Sequence, residues 1–171
     1  MKRTYYTAKL WVKGRGMVLE RNRTVLPPEI LLEEYRRMLA EEFRIEALPL
    51  VISGSSMTPF LMHGRDTVYL SRLERQPKRG DMLLYRRYTG AYVLHRVVRA
   101  EDGLCTMVGD AQTQLEPGIR PDQIIAIVTA VDRKGKRQKP GCFWWEFFEK
   151  VWLGMIPLRP YIMALYGRFW Q

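Results

Sequence analysis

The chain has 171 residues, enough for one domain with a hydrophobic core and short extensions. Its formal net charge of +10 favours an anionic partner, either a lipid surface or a nucleic acid. Its only cysteines, Cys105 and Cys142, are too few for a disulfide scaffold, and no Cys and His spacing typical of a zinc site occurs. We therefore expect two reduced thiols, no metal and no cofactor.

The N-terminal part of the chain predicts an arm followed by a helix. Its first six residues are basic but are not followed by the apolar run of a secretion signal. Leu31, Tyr35 and Leu39 recur at helical spacing behind a pair of prolines. An amphipathic helix is therefore predicted to about Phe43.

The middle of the chain changes to short β-type runs that alternate with turn signals. The predicted strands cover residues 48–52, 67–70, 82–85, 91–98, 104–108 and 124–131. Such short runs at close spacing predict a mainly β domain, antiparallel and rolled or barrel-like, and argue against βαβ units.

The C-terminal tail is aromatic and follows a basic run rich in turn-forming residues. Charged residues and prolines interrupt its apolar run, so a clean membrane span is not expected. Trp, Tyr and scattered charge are typical of a segment lying on an anionic membrane surface, and packing onto the β domain is the alternative. Basic charge and the missing export signal favour membrane association on the cytoplasmic face. The predicted units are an arm and helix (1–46), a β domain (47–133), a basic linker (134–141) and the tail (142–171).

A serine cluster and a histidine in a predicted strand suggest nucleophilic catalysis. The run Gly54–Pro59 reads Gly-Ser-Ser-Met-Thr-Pro, in which the glycine permits a sharp turn, so Ser56 can project and its N–H can face a substrate carbonyl. A serine hydroxyl needs a neighbouring base to take its proton. The chain has two histidines. His95 lies between valines on one face of a predicted strand, where burial favours the neutral imidazole that a base requires. His63, in a turn after the serine, is the weaker candidate.

An acidic residue is expected behind the histidine, to hold the imidazole in the correct tautomer. Asp110 follows Gly109 at the end of a predicted strand and is the first candidate. Glu116 and Asp122 are nearby alternatives that the sequence does not separate from it. No recognition-helix or aromatic-platform pattern accompanies the basic run, so we expect no nucleic-acid partner.

Four short motifs in a fixed order resemble the signal peptidase I family, in its Ser–His branch such as the enzyme of the endoplasmic reticulum. The family's first motif is a glycine, a variable residue, Ser-Met and a proline two positions later. Its second is Gly-Asp before a hydrophobic strand, its third places the base before Arg-Val, and its last is Gly-Asp-Ala/Asn-Asn. In this chain the four motifs are similar to Gly54–Pro59, Gly80–Tyr85, His95–Val98 and Gly109–Gln112.

The resemblance implies a β domain of signal peptidase type and a serine endopeptidase that cleaves signal or leader peptides. It assigns Ser56 as nucleophile, His95 as base and Asp110 as the third member, with Gly54 and Ser56 forming the turn and the oxyanion site. The predicted partners are a peptide or preprotein substrate and an anionic membrane surface. The alternative is a non-catalytic β module of the same fold that binds peptide or membrane.

Overall fold

An open antiparallel sheet of eight strands forms the centre of the computed structural model, which describes residues 47–169. Its strands are β1 (Leu48–Val51), β2 (Thr67–Ser71), β3 (Met82–Arg86), β4 (Tyr92–Glu101), β5 (Leu104–Val108), β6 (Glu116–Ile119), β7 (Ile124–Arg133) and β8 (Lys136–Gln138). They lie in the order β1-β2-β7-β3-β4-β5-β6, and β8 pairs with β7. The predicted antiparallel β domain is therefore confirmed, although the sheet does not close. The predicted N-terminal arm and helix lie outside the described residues.

The sheet buries a different apolar cluster on each face, because successive side chains of a strand point to opposite sides. Met82 and Leu84 belong to one cluster, which we call the first core. Leu83 and Tyr85 belong to the other, the second core. His95 pairs with Leu83 in the β3–β4 ladder, and it is only 2% exposed. The alternation within β4 thus places the histidine on the second-core face, as the sequence predicts.

The run predicted as a basic linker forms a β-hairpin instead. Strand β8 pairs with the end of β7, and the turn between them has Lys134 at φ 51° and Gly135 at φ 74°. Two successive positive φ angles are typical of the two-residue turns that match the twist of a hairpin. Asp132 and Arg137 form an ion pair across this hairpin.

The C-terminal tail continues as a series of short helical segments. These are α1 (Phe143–Glu146), a π-helical turn (Phe147–Val151), a 3₁₀ segment (Trp152–Leu158) and α2 (Arg159–Phe169). Trp145, Phe148 and Trp152 are buried in the first core, so the tail packs onto the β domain. Phe143 and Tyr161 are 72% and 73% exposed, and lipid contact by this side of the tail stays a prediction. Among residues 47–169, no helix has the length and apolar character needed to cross a membrane.

Candidate active site

Ser56 lies in a tight loop that follows β1 and is anchored by buried side chains. Gly54 has φ +88°, a backbone conformation that residues other than glycine rarely adopt. Its N–H donates to Nδ1 of His63 at 3.1 Å. Met57 and Phe60 are buried in the first core, while Ser56 is partly exposed. The loop therefore fixes its backbone through its apolar residues and leaves the serine hydroxyl at the surface.

The loop that follows β5 supports the backbone of Ser56. The Ala111 N–H donates to the Ser56 carbonyl oxygen at 2.8 Å. Gly109 approaches the same oxygen so closely that an added Cβ would lie 2.6 Å from it. Glycine is required here because of a close backbone approach. The last motif of the resemblance thus lies directly against the first.

Replacing Gly109 tests this support. We expect Gly109→Ala to lower the free energy of unfolding by about 1–3 kcal/mol, as insertion of a methyl group into a packed site does, and to displace Ser56. Urea unfolding measures the first effect and peptide cleavage the second. Gly154→Ala is the matched control, because an added Cβ at Gly154 meets no atom within 4 Å. Equal unfolding midpoints for the two variants would contradict the close approach.

The C-terminal tail holds the same loop from its other side. Trp152 Nε1–H donates to the Asp110 carbonyl oxygen at 2.8 Å. The Arg159 side chain is fully buried and donates to the carbonyl oxygens of Gly109 and Gln112, both at 2.8 Å. The tail therefore forms part of the framework behind the loop that carries Ser56.

Ser56 and His95 line the same cavity, which has a volume of about 200 Å³. The walls come from the loop that carries Ser56 on one side and from the first residues of β4 on the other. Arg87 and Gln112 add further polar side chains to the lining. The fold thus brings together the two residues that the sequence predicts to act as nucleophile and base.

The Nδ1 atom of His95 contacts a tyrosine and not an aspartate. It lies 3.2 Å from the Tyr85 hydroxyl oxygen, and this hydroxyl donates to Glu116 Oε2 at 2.7 Å. Arg87 in turn donates twice to the Glu116 carboxylate, at 2.7 and 2.5 Å. Glu116 Oε2 is 3.9 Å from Nδ1, which is too far for a direct hydrogen bond.

Charges of both signs lie near this histidine, but burial has the largest effect on its protonation. Burial lowers the pKa of His95 to about 4, and the positive charge of Arg87 acts in the same direction. The negative charges of Glu116 and Asp110 act against both. The imidazole is therefore neutral near pH 7 and can accept a proton. Arg87, by its hydrogen bonds, lowers the pKa of Glu116, which stays ionised.

Asp110 does not accept a hydrogen bond from His95 Nδ1, contrary to the prediction. Both of its carboxylate oxygens bind Arg96, at 3.0 and 2.9 Å, and both side chains are fully buried. Arg96 follows His95 in β4, so its side chain points to the opposite face of the sheet. Asp110 therefore belongs to an ion pair on the first-core side.

The other predicted residues have structural contacts. His63 accepts the Gly54 N–H and supports the turn, and it does not line the cavity shared by Ser56 and His95. Gly54 uses its N–H in this bond and serves the turn. Asp122 forms an exposed ion pair with Arg120, away from His95. Of the three acids considered from the sequence, Glu116 is the one that reaches His95, through Tyr85.

Compared with known proteins, the chain matches no protein-family model, no curated protein and no solved structure.

Tyr85 and Arg87 lie at the site but were not predicted from the sequence as members of it. A signal for Tyr85 was present in the β3–β4 hairpin. Leu83 lies opposite His95, and Tyr85, two residues after Leu83 in the same strand, points to the same face of the sheet. Arg87 lies beyond the end of β3, where strand alternation predicts nothing.

Proposed function

We propose that this protein is a serine endopeptidase of signal peptidase type, in which Ser56 is the nucleophile and His95 the general base. The observation that carries the proposal is the shared cavity: two residues far apart in the sequence face the same small space. The buried, neutral state of His95 supports the role of base. The order of the four motifs along the chain supports the family.

The proposed reaction uses both residues in turn. Ser56 Oγ attacks the carbonyl carbon of the scissile bond while His95 Nε2 accepts the hydroxyl proton. The C–N bond then breaks, and His95 returns the proton to the leaving amine. Water attacks the resulting ester and gives a proton to His95, and the carboxyl product leaves as Ser56 recovers its proton. No residue among 47–169 accepts a hydrogen bond from the Ser56 N–H, which leaves this donor for the oxyanion.

The cavity is bordered by a strand edge that suits an extended peptide. Strand β5 pairs with β4 only from Arg96 onward, so Val93, Leu94 and His95 have no neighbouring strand on that side within residues 47–169. An extended peptide can add to such an edge through main-chain hydrogen bonds. A volume of about 200 Å³ beside the serine suits small side chains near the scissile bond. A signal or leader peptide has this chemistry.

The test is cleavage of leader peptides that carry small residues before the scissile bond, followed by mass spectrometry. We expect cleavage by the wild type and none by Ser56→Ala, because the alanine variant has no nucleophile. Ser55→Ala is the matched control, since Ser55 is exposed and adjacent to Ser56 in the same loop. It should cleave at the wild-type rate.

Two results would count against the proposal. Equal cleavage by the wild type and Ser56→Ala would mean that another group performs the reaction. Peptide binding without cleavage by any of the three proteins would favour the non-catalytic β module.

A further inference from the structure

We infer that Tyr85 and Glu116 are the positioning residues of His95, a role that the family resemblance assigns to Asp110. This inference rests on the proposed function and goes further, because it names which groups fix the imidazole for catalysis. The contacts that carry it are His95 Nδ1 to Tyr85 Oη at 3.2 Å and Tyr85 Oη to Glu116 Oε2 at 2.7 Å.

The proton count along this chain of contacts fixes the tautomer of His95. A tyrosine hydroxyl has one proton to donate, and an ionised carboxylate can only accept. Tyr85 therefore gives its proton to Glu116 and can only accept from the histidine. It follows that Nδ1 carries the proton of the neutral imidazole. Nε2 then has the free lone pair that a base needs to accept the proton of Ser56.

Burial of Tyr85 and hydrogen bonds from Arg87 restrict the geometry of the contacts between Glu116, Tyr85 and His95. Tyr85 is fully buried in the second core, where close packing restricts its ring. Glu116 opens β6, which pairs with β5, and the two hydrogen bonds from Arg87 fix the plane of its carboxylate. The hydroxyl between Glu116 and His95 is thus held by the strands on both sides.

The same arrangement stabilises the histidine when it becomes charged during the reaction. The imidazolium that forms keeps its Nδ1–H bond to the Tyr85 oxygen, whose own proton points at Glu116. The negative carboxylate lies 3.9 Å from Nδ1 and favours the positive charge. Asp110 does not supply the hydrogen bond, because its carboxylate pairs with Arg96, whose side chain points to the face of the sheet opposite His95. Arg87 keeps Glu116 ionised and in this way supports the base through Glu116.

The first experiment measures kinetics. We expect Tyr85→Phe to lower kcat by about 10²-fold, within the range that a positioned acid–base group contributes, with little change in KM. We expect Glu116→Gln to lower kcat less, because the amide oxygen still accepts the tyrosine proton while the negative charge is lost. Unchanged kcat in Tyr85→Phe would overturn the inference.

The chain offers a matched control for loss of a tyrosine hydroxyl. Tyr69 donates its hydroxyl proton to Asp132 at 2.8 Å, and Arg137 binds the same carboxylate. This Tyr–Asp–Arg group has the same chemistry as the Tyr85–Glu116–Arg87 group. It lies on β2 and the β7–β8 hairpin, away from His95. Tyr69→Phe should leave kcat unchanged. An equal fall in kcat in both variants would show a general structural effect and would overturn the positioning role.

The second experiment needs no activity. Nitrogen NMR of the imidazole rings distinguishes a protonated Nδ1 from a protonated Nε2, and the chain has two histidines, which His63→Gln assigns. We expect His95 in the wild type to carry its proton on Nδ1, and Tyr85→Phe to shift the proton toward Nε2. A proton on Nε2 in the wild type would overturn the inference even if cleavage occurs. The expected tautomer in a protein that cleaves no peptide would support the positioning contact and count against the proposed function.

Discussion

Replacing Asp110 with alanine should lower the free energy of unfolding by about 3–5 kcal/mol, the effect expected when one partner of a buried ion pair is removed. Arg96 and Asp110 are both completely buried and joined by two hydrogen bonds. Without the carboxylate, the partners that the Arg96 guanidinium keeps among residues 47–169 are the Gly80 carbonyl oxygen and the face of the Phe60 ring. A buried charge left without its counter-charge is strongly unfavourable.

A second buried arginine increases the expected loss. Burial lowers the pKa of Arg159, and the negative charge of Asp110 opposes this shift. One carboxylate thus offsets two buried guanidinium groups, those of Arg96 and Arg159. Asp110 therefore has a structural role in addition to its small electrostatic effect on His95.

Urea denaturation of Asp110→Ala and of the double variant Arg96→Met/Asp110→Leu measures this role. The double variant removes both charges of the pair and should recover more than half of the lost stability, because apolar residues of similar volume can replace a buried pair at little loss. An Asp110→Ala protein that unfolds at the wild-type urea concentration but has lost its kcat would show that the aspartate serves the histidine after all.

The second large effect concerns pH. With a pKa of about 4, His95 stays neutral to well below the usual histidine range. In the proposed reaction His95 is the base, so the acid limb of kcat/KM should have an apparent pKa near 4. Peptide cleavage between pH 3.5 and 8 measures it. An acid limb near 6.5, the usual value for histidine, would contradict the burial of the base.

The same shift makes stability depend on pH. The unfolded chain takes up a proton at His95 below pH 6.5, whereas the folded protein does so only below about 4. The contribution of this group is therefore fully present above pH 6.5 and is lost as the pH falls toward 4. At about 1.4 kcal/mol per pKa unit, the loss amounts to about 3 kcal/mol. Carboxylates with lowered pKa values, such as Glu116, add losses at lower pH.

Comparison with His95→Gln isolates the histidine from those carboxylates. The glutamine variant should lose about 3 kcal/mol less than the wild type between pH 6.5 and 4, as measured by urea denaturation at each pH. Parallel losses in the two proteins would show that His95 does not titrate differently in the folded state.

Local patterns predicted much of the site. The alternation of Val93, His95 and Val97 placed the histidine on a buried face, and the turn chemistry of Gly54 placed Ser56 at the surface of a loop. Both predictions depend on residues close in sequence, whose relative orientation follows from the geometry of a strand or a turn. The antiparallel β domain follows from the same short-range signals.

The partner of Asp110 could not be predicted, because it depends on register. Arg96 pairs with Val108 in the β4–β5 ladder, so Asp110, two residues beyond Val108, lies toward the face of Arg96 and away from His95. An irregularity between Val97 and Arg99 shifts this register. A shift of one residue exchanges the two faces of a strand, so the correct acid depended on a feature that the sequence pattern does not display.

Hydrogen bonds from Trp152 and Arg159 to the loop that carries Asp110 affect the order in which the site assembles. Trp152 donates to the carbonyl oxygen of Asp110, 42 residues earlier in the chain, and Arg159 donates to that of Gly109, 50 residues earlier. During synthesis, β5 and the loop that carries Ser56 leave the ribosome well before either of these side chains. A nascent chain therefore contains Ser56 and His95 before it contains the groups that support their loops, and the proposed cleavage should become possible only after Arg159 has been synthesised.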